Sequence, residues 1–179
     1  TEICVANANG SGAAVVPLSP YSKSGPDWAP DGLMISWVEQ NELWVANVDG
    51  SNPVRKRSSS GAVRDAAWGP DGTQLAYNGN DGEGSPGVVV NNFDGNNEAT
   101  FGGTGTNHVS WSPFGDSLAY VGTSSFIYKG AVAGGTPLRV VRSSGNQRWP
   151  DWIASGLAYE SAGYSPAEIL FHRATDGRL

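Results

Sequence analysis

The sequence predicts an all-β protein built from β-propeller blades of four antiparallel strands, about four blades of roughly forty residues each, stacked side by side. Three observations carry this reading. Asp27-Trp28-Ala29-Pro30-Asp31-Gly32 returns as Ala67-Trp68-Gly69-Pro70-Asp71-Gly72 and as Ser110-Trp111-Ser112-Pro113-Phe114-Gly115, with a worn copy from Asp151 to Gly156; the tryptophans stand 40, 43 and 41 positions apart. A second phrase, running from Glu2 to Gly10, recurs 40 residues on from Glu42 to Gly50. No stretch carries a sustained 3.6-residue apolar period closed by a cap, so essentially no helix is expected.

Within each unit the first strand ends at the tryptophan, as in Val63 to Trp68 and Asn107 to Trp111. The Pro-Asp-Gly that follows is a tight turn, because proline presets φ and glycine accepts φ > 0. Second strands come next, at 33–38, 74–78, 117–121 and 156–160, with Trp37, Tyr77 and Tyr120 each nine residues after their tryptophan. Tyr159 lies only seven after Trp152, so the fourth copy has lost two turn residues. Third strands run from Ile3, Leu43, Val88, Ile127 and Ile169, most closing on Asn-Gly, Asp-Gly or Gly-Gly, a hairpin signal. Weaker fourth strands are read at 14–18, 53–57, 98–101 and 137–142. A propeller sheet is covered on both faces, which accounts for aromatic residues recurring in place of a one-sided alternation. A sandwich would lack the repeated phrase, and the Gly-His…Trp-Asp signature of WD40 propellers is absent. The repeat tryptophans recur too regularly to be a ligand site and are read as core.

With 179 residues the chain can bury a real core, and seven tryptophans argue against disorder. Only 16% of residues are charged and the net charge is −6, which disfavours binding to a nucleic-acid backbone. Cys4 is the single cysteine, so an intrachain disulfide and a cysteine metal cluster are excluded. No run of eighteen apolar residues exists that could span a bilayer as a helix, and the first residues show no signal-peptide pattern. Asn9-Gly10-Ser11 fits a glycosylation acceptor, a tripeptide that also occurs by chance.

Catalytic constellations are missing. Gly163-Tyr164-Ser165-Pro166-Ala167 is the nearest approach to a nucleophile elbow and lacks its second glycine. His108 and His172 are the only histidines, read as a loop and a strand residue, so no enzymatic activity, cofactor or metal set is expected in this chain. Asn80-Asp81-Gly82-Glu83-Gly84 offers oxygen ligands of the kind calcium prefers, but a solvated loop explains it as well. Arg55-Lys56-Arg57 is the one basic run, placed on an outer strand where charge protects an edge; an anion patch is the alternative. The loops leading into the first strands deliver Asp27, Arg64, Asp65, Asn107, His108, Arg148 and Trp149 toward the axis. Arginine and tryptophan there suit recognition of a peptide or protein. The aspartates Asp27, Asp65 and Asp151 are better read as holding adjacent loops by local hydrogen bonds.

Trp-Ser/Ala-Pro-Asp-Gly, then Leu-Ala-Tyr, then Leu-Trp-Val-Ala-Asn-Val-Asp-Gly-Ser-Asn-Pro resembles the repeat of TolB-type propellers, most clearly at 28–53 and 68–95. The resemblance covers nearly the whole chain and implies blade repeats near 25–57, 63–101, 107–142 and 148–179 within one propeller domain, 1–179. The strand count is seventeen, opening and closing on a third strand. A six-bladed ring, the form of TolB itself, would need about 240 residues. The chain therefore reads as part of a larger propeller, with assembly through open blade edges as the alternative. The resemblance further implies a non-catalytic interaction or scaffold module in an extracytoplasmic setting, periplasmic, surface or secreted. Its alternatives are a gating propeller before a serine hydrolase domain, or a self-assembling structural component.

Overall fold

The computed structural model describes residues 1–57, 63–80, 86–94, 99–103, 105–140, 146–154, 156–161 and 168–173, the last strand by its backbone alone. These residues hold seventeen strands, no α-helix and one 3-10 turn at Thr123–Ser125. Strands β1 (Cys4–Val5) and β2 (Ala14–Val15) form a two-stranded sheet. The first full blade is β3 (Lys23–Trp28), β4 (Met34–Glu39), β5 (Glu42–Asn47) and β6 (Val54–Arg57). The second is β7 (Ala66–Trp68), β8 (Gln74–Asn80), β9 (Pro86–Asn92) and β10 (Ala99–Phe101). The third is β11 (Asn107–Trp111), β12 (Ser117–Val121), β13 (Ile127–Ala131) and β14 (Leu138–Arg139). The last sheet is three-stranded, with β15 (Gln147–Ile153), β16 (Gly156–Ser161) and β17 (Glu168–Arg173). Every pairing is antiparallel and between sequence neighbours.

Both repeated phrases are turn chemistry. In the first, Gly32, Gly72 and Gly115 each donate a backbone N–H to the carbonyl three residues back, at 2.9, 2.9 and 3.0 Å. The Asp71 carboxylate accepts the Thr73 N–H and hydroxyl at 2.9 and 2.8 Å. Phe114 replaces that aspartate in the third copy, and Asp116 takes over by accepting the Ser112 hydroxyl at 2.8 Å. The second phrase builds one turn twice. Asn9 accepts the Ser11 N–H at 3.0 Å, and Asp49 accepts the Ser51 N–H at 2.9 Å. Asn9 is thus part of the turn that its tripeptide spells.

Packing between sheets makes the core. Ile3 and Val16 meet Ile35, Trp37 and Ala46; Val38, Leu43 and Val45 meet Val63, Trp68, Leu75 and Tyr77. Ala76, Val88 and Val90 meet Trp111, Leu118 and Tyr120, and Ala119, Val121 and Ile127 meet Trp152, Leu157 and Tyr159. Each second strand turns its large aromatic toward the preceding sheet, while small Ala76 or Ala119 faces the following one. That is the pleat's period of two with both faces buried. Trp37 stacks on Trp44 and Tyr120 on Tyr128 across adjacent strands, at 6.4 and 6.0 Å between centroids.

Three expectations need correction. The first strand of the second blade spans Ala66–Trp68 where 63–68 was expected, because the Arg64 and Asp65 backbones bond to Asn78 outside regular ladder register. The fourth strands at 14–15 and 138–139 are two-residue remnants of the expected five and six residues. The third concerns the tryptophans. Trp68, Trp111 and Trp152 are core, but Trp28 is 47% exposed. Trp111 donates its indole N–H to the Ala67 carbonyl of the preceding blade's first strand at 3.1 Å. The sheet before Trp28 consists of β1 and β2, and no described first strand lies there to cover it.

This asymmetry sets a stability prediction. Trp111→Ala empties a buried site and should cost about 3–5 kcal/mol. Trp28→Ala should cost about 1 kcal/mol, the usual scale of a single substitution outside the core. Chemical denaturation of the two variants checks it; equal costs would contradict the packing described.

Candidate axial binding site

The first strands of successive blades, β3, β7, β11 and β15, lie side by side and line one channel of about 430 Å³. Their leading ends carry Lys23-Ser24-Gly25, Val63-Arg64-Asp65, Thr106-Asn107-His108 and Gln147-Arg148-Trp149, each four residues or so before the repeat tryptophan. Ladder register slips at this place in three blades, between Ser24 and Asp27, Asn107 and Val109, and Arg148 and Asp151. The slip puts Gly25, His108 and Trp149 in left-handed backbone, at φ of 56°, 51° and 52°. Glycine accepts that conformation freely, whereas a bulky side chain there carries strain. A bulge re-aims the side chain it bears, and bulges cluster beside functional sites.

The bulges bring the sequence-predicted residues together across three blades. Asp65 accepts the His108 backbone N–H at 3.3 Å, and the His108 ring lies against Trp149 with centroids 3.8 Å apart. Trp149 is 59% exposed. Arg64 and Arg148 are exposed and Asn107 is half-buried. Burial pushes the His108 imidazole below its ordinary value; Asp65 and Glu160 oppose this, and the Arg148 charge adds to it. The histidine is therefore a neutral flat surface at physiological pH, with the Arg148 charge near it.

The aspartates work between blades. Asp27 accepts the Trp68 N–H of the next blade at 2.9 Å with one oxygen and the Trp28 N–H at 2.9 Å with the other. Burial raises its carboxyl above the ordinary value, and the two backbone N–H groups lower it. Ser110 makes the equivalent contact by accepting the Trp152 N–H at 3.1 Å. These bonds tie blade to blade.

Sequence reasoning missed a buried ion pair at the leading end of the first blade. Lys23 Nζ lies 3.2 Å from Glu39 Oε2 and donates to the carbonyls of Ser19 and Tyr21 at 2.6 and 2.8 Å. Desolvation pulls the Glu39 carboxyl upward, but hydrogen bonds from Ser19, Lys23 and Trp37 and the Lys23 charge together hold it below its ordinary value. Arg55 pairs with Glu42 at 3.0 Å, and Lys56 lies over the Phe93 ring, 3.5 Å from its centroid, while donating to the Phe93 carbonyl. Two members of the basic run thus belong to the sheet and its neighbour. Asp81 to Gly84 and Gly163 to Ala167 lie outside the described residues, and His172 is placed on β17 by backbone alone. Among the described residues no group of three His, Cys, Asp or Glu could hold a metal.

No protein-family model and no curated protein matches this chain. Solved structures do. A protein assigned as TolB from Agrobacterium tumefaciens superposes with a TM-score of 0.78 at 22% identity, over 97% of this chain and 66% of that one. The fold is a TolB-like β-propeller. A chain of a nidogen/laminin complex matches at TM-score 0.77 and 15% identity, over 99% of this chain and 69% of that one. An oligogalacturonate lyase in complex with manganese matches at 0.73 and 14%, over 96% and 54%. The TolB-like propeller described here therefore spans just under two thirds of the first of these chains and about half of the third. Such similarity establishes shared architecture; the three neighbours differ in what they do.

The His108 environment sets a pH response. Its folded value lies below the ordinary 6.5, so its contribution to stability is complete above 6.5 and is lost as pH falls through the folded value. His108→Asn keeps a residue tolerant of left-handed backbone and removes the titration. Melting curves between about pH 7.5 and 5.5 should fall more steeply for the wild type than for the variant, since only the wild type gains that proton on unfolding. Parallel slopes would refute the assignment.

Proposed function

We propose that this chain is a non-catalytic TolB-like propeller module that binds an extended peptide or a protein loop across the leading ends of its first strands, in an extracytoplasmic protein. The observation that carries this reading is the His108–Trp149 pair, two bulky residues in left-handed backbone at equivalent bulges of adjacent blades. Each such position costs about 1–3 kcal/mol, and strain of that kind concentrates at ligand clamps. The second ring is left exposed beside Arg148, which joins an aromatic anchor to a carboxylate- or carbonyl-binding guanidinium. The absence of a nucleophile elbow in the sequence supports the non-catalytic part, and the likeness to TolB structures supports the location. Peptides selected on the wild-type protein from a displayed library should lose at least about tenfold in affinity on Trp149→Ala, equivalent to 1.4 kcal/mol. They should keep it on Phe114→Ala, an exposed aromatic at the opposite end of the strand. Equal loss in both variants, or in neither, would reject the axial site.

A second reading, assembly through an open blade face, is favoured by Trp28 alone. Its ring is exposed where its counterparts in three other blades are covered by a preceding first strand. Sedimentation should then show association that rises with concentration and disappears in Trp28→Ser. A monomer mass independent of concentration would exclude it.

A further inference from the structure

The second-strand residue that follows the blade aromatic is Val38 in the first blade, Asn78 in the second and Val121 in the third. Both valines are buried in inter-blade clusters. Asn78 is equally buried, at 2% exposure, and its backbone is satisfied by Arg64 and Asp65. Its side-chain amide nitrogen and oxygen are both buried without a hydrogen-bond partner. A buried amide without a protein partner carries a desolvation cost that a bond from outside the fold offsets.

Asn78 lines a cavity of about 270 Å³ between the second and third blades, at the same end of the strands as His108 and Trp149. Arg64, Gly87, Gly103, Thr106 and Asn107 complete the part that matters here. The corresponding cavity between the first and second blades also touches Arg64 but has Val38 in the place of Asn78. Both inter-blade cavities carry polar residues and share Arg64; what sets this one apart is the buried, unpartnered amide of Asn78 where its neighbour has a valine.

We propose that the Arg64–Asn78 cavity is a binding site for a carboxylate carried next to an amide, as in an acidic residue of a peptide or a free N-acyl amino acid. The guanidinium fork of Arg64 matches a carboxylate in geometry and charge. The Asn78 amide, donor and acceptor at once, matches the adjoining amide, and the Thr106 hydroxyl and Asn107 amide add further polar partners. A single cation in a protein of net charge −6 suits one carboxylate better than a phosphate dianion. The proposal deepens the peptide-binding reading by giving the partner an acidic residue, but the cavity's geometry stands apart from the His108–Trp149 pair.

The test uses N-acetyl-aspartate N-methylamide, its asparagine counterpart, and capped Gly-Asp-Gly, titrated into the isotope-labelled chain and followed by NMR. The two aspartate probes should shift the Asn78 side-chain amide signals saturably, with a Kd of about 1 mM or tighter. The asparagine probe should bind at least tenfold more weakly. Asn78→Val, which installs the residue of the two neighbouring blades, should lose binding at least tenfold with no fall in thermal midpoint. Arg64→Ser, the residue at Ser24, is an exposed change that tests the same loss should the valine variant fold poorly. Tighter binding of the capped tripeptide identifies a peptide source, and tighter binding of the single residue a free acid; both support the site. No saturable shift, equal binding of the asparagine probe, or unchanged binding in both variants would overturn it. Acid binding without any Trp149-dependent peptide would sink the peptide reading and leave this site standing. Selected peptides that bind Asn78→Val as well as wild type, with the probes silent, would do the reverse.

Discussion

Each full sheet of this protein has two apolar faces, and the whole architecture follows from the need to cover both. The second strand shows the constraint at its strongest, since Ile35, Ser36, Trp37 and Val38, or Leu75, Ala76 and Tyr77, are buried one after another on alternate faces. A large aromatic removes some 150–250 Å² from water, which at about 25 cal/mol per Å² gives an upper figure near 4–6 kcal/mol per ring. The hydrogen bonds that cross the same interface, Asp27 to Trp68 and Trp111 to Ala67, contribute on the order of 1 kcal/mol each. Aromatic burial therefore holds the blades together, and the polar contacts fix how they are set against one another.

Those two roles explain why the repeat is strict in some places and loose in others. The turn phrases are strict because their geometry has few solutions: Asn9 and Asp49 do the same job 40 residues apart with the same bond pattern. Where one member is lost, as at Phe114, a nearby Ser112–Asp116 bond restores the turn. The leading ends of the first strands are loose. The bulge recurs in three blades, yet the residue on it is glycine, histidine or tryptophan. Backbone geometry is retained there while side-chain chemistry varies, which separates the scaffold from the surface it presents.

The fold was legible in the sequence because its determinants are local and periodic. Turn residues announce themselves by type, and an aromatic nine residues past a tryptophan marks the second strand in three copies. The grouping of Asp65, His108 and Trp149 was legible only as a neighbourhood. Their contact depends on a register slip, and a slip has no signature in residue type when its left-handed position holds histidine or tryptophan. The exposure of Trp28 was invisible to pattern reading, since the phrase around it is the same as around Trp68 and only the neighbouring sheet differs. Lys23 and Glu39 were missed because a lysine and a glutamate 16 positions apart look like ordinary surface residues. Asn78 was available to a comparison of registers, as an amide where the first and third blades carry valine and the fourth carries Glu160, but periodicity draws the eye to what repeats.

Departures from the repeat differ in whether the fold itself offsets them. Lys23 and Glu39 are charged residues inside the protein, yet Ser19, Tyr21 and Trp37 satisfy them, so the pair is complete within the blade. Breaking one partner of such a pair is costly, which is reason enough for its presence as a structural unit. Ser36 is a smaller case, a buried hydroxyl without a partner where Ala76 and Ala119 stand in other blades. Asn78 and the His108–Trp149 pair combine a local cost with an opening beside it: unpaired amide groups on a cavity in one case, left-handed backbone under an exposed ring in the other. A repeat protein supplies its own controls for such positions. Valine at 38 and 121 and glycine at 25 are the residues this same backbone uses when only folding is asked of it.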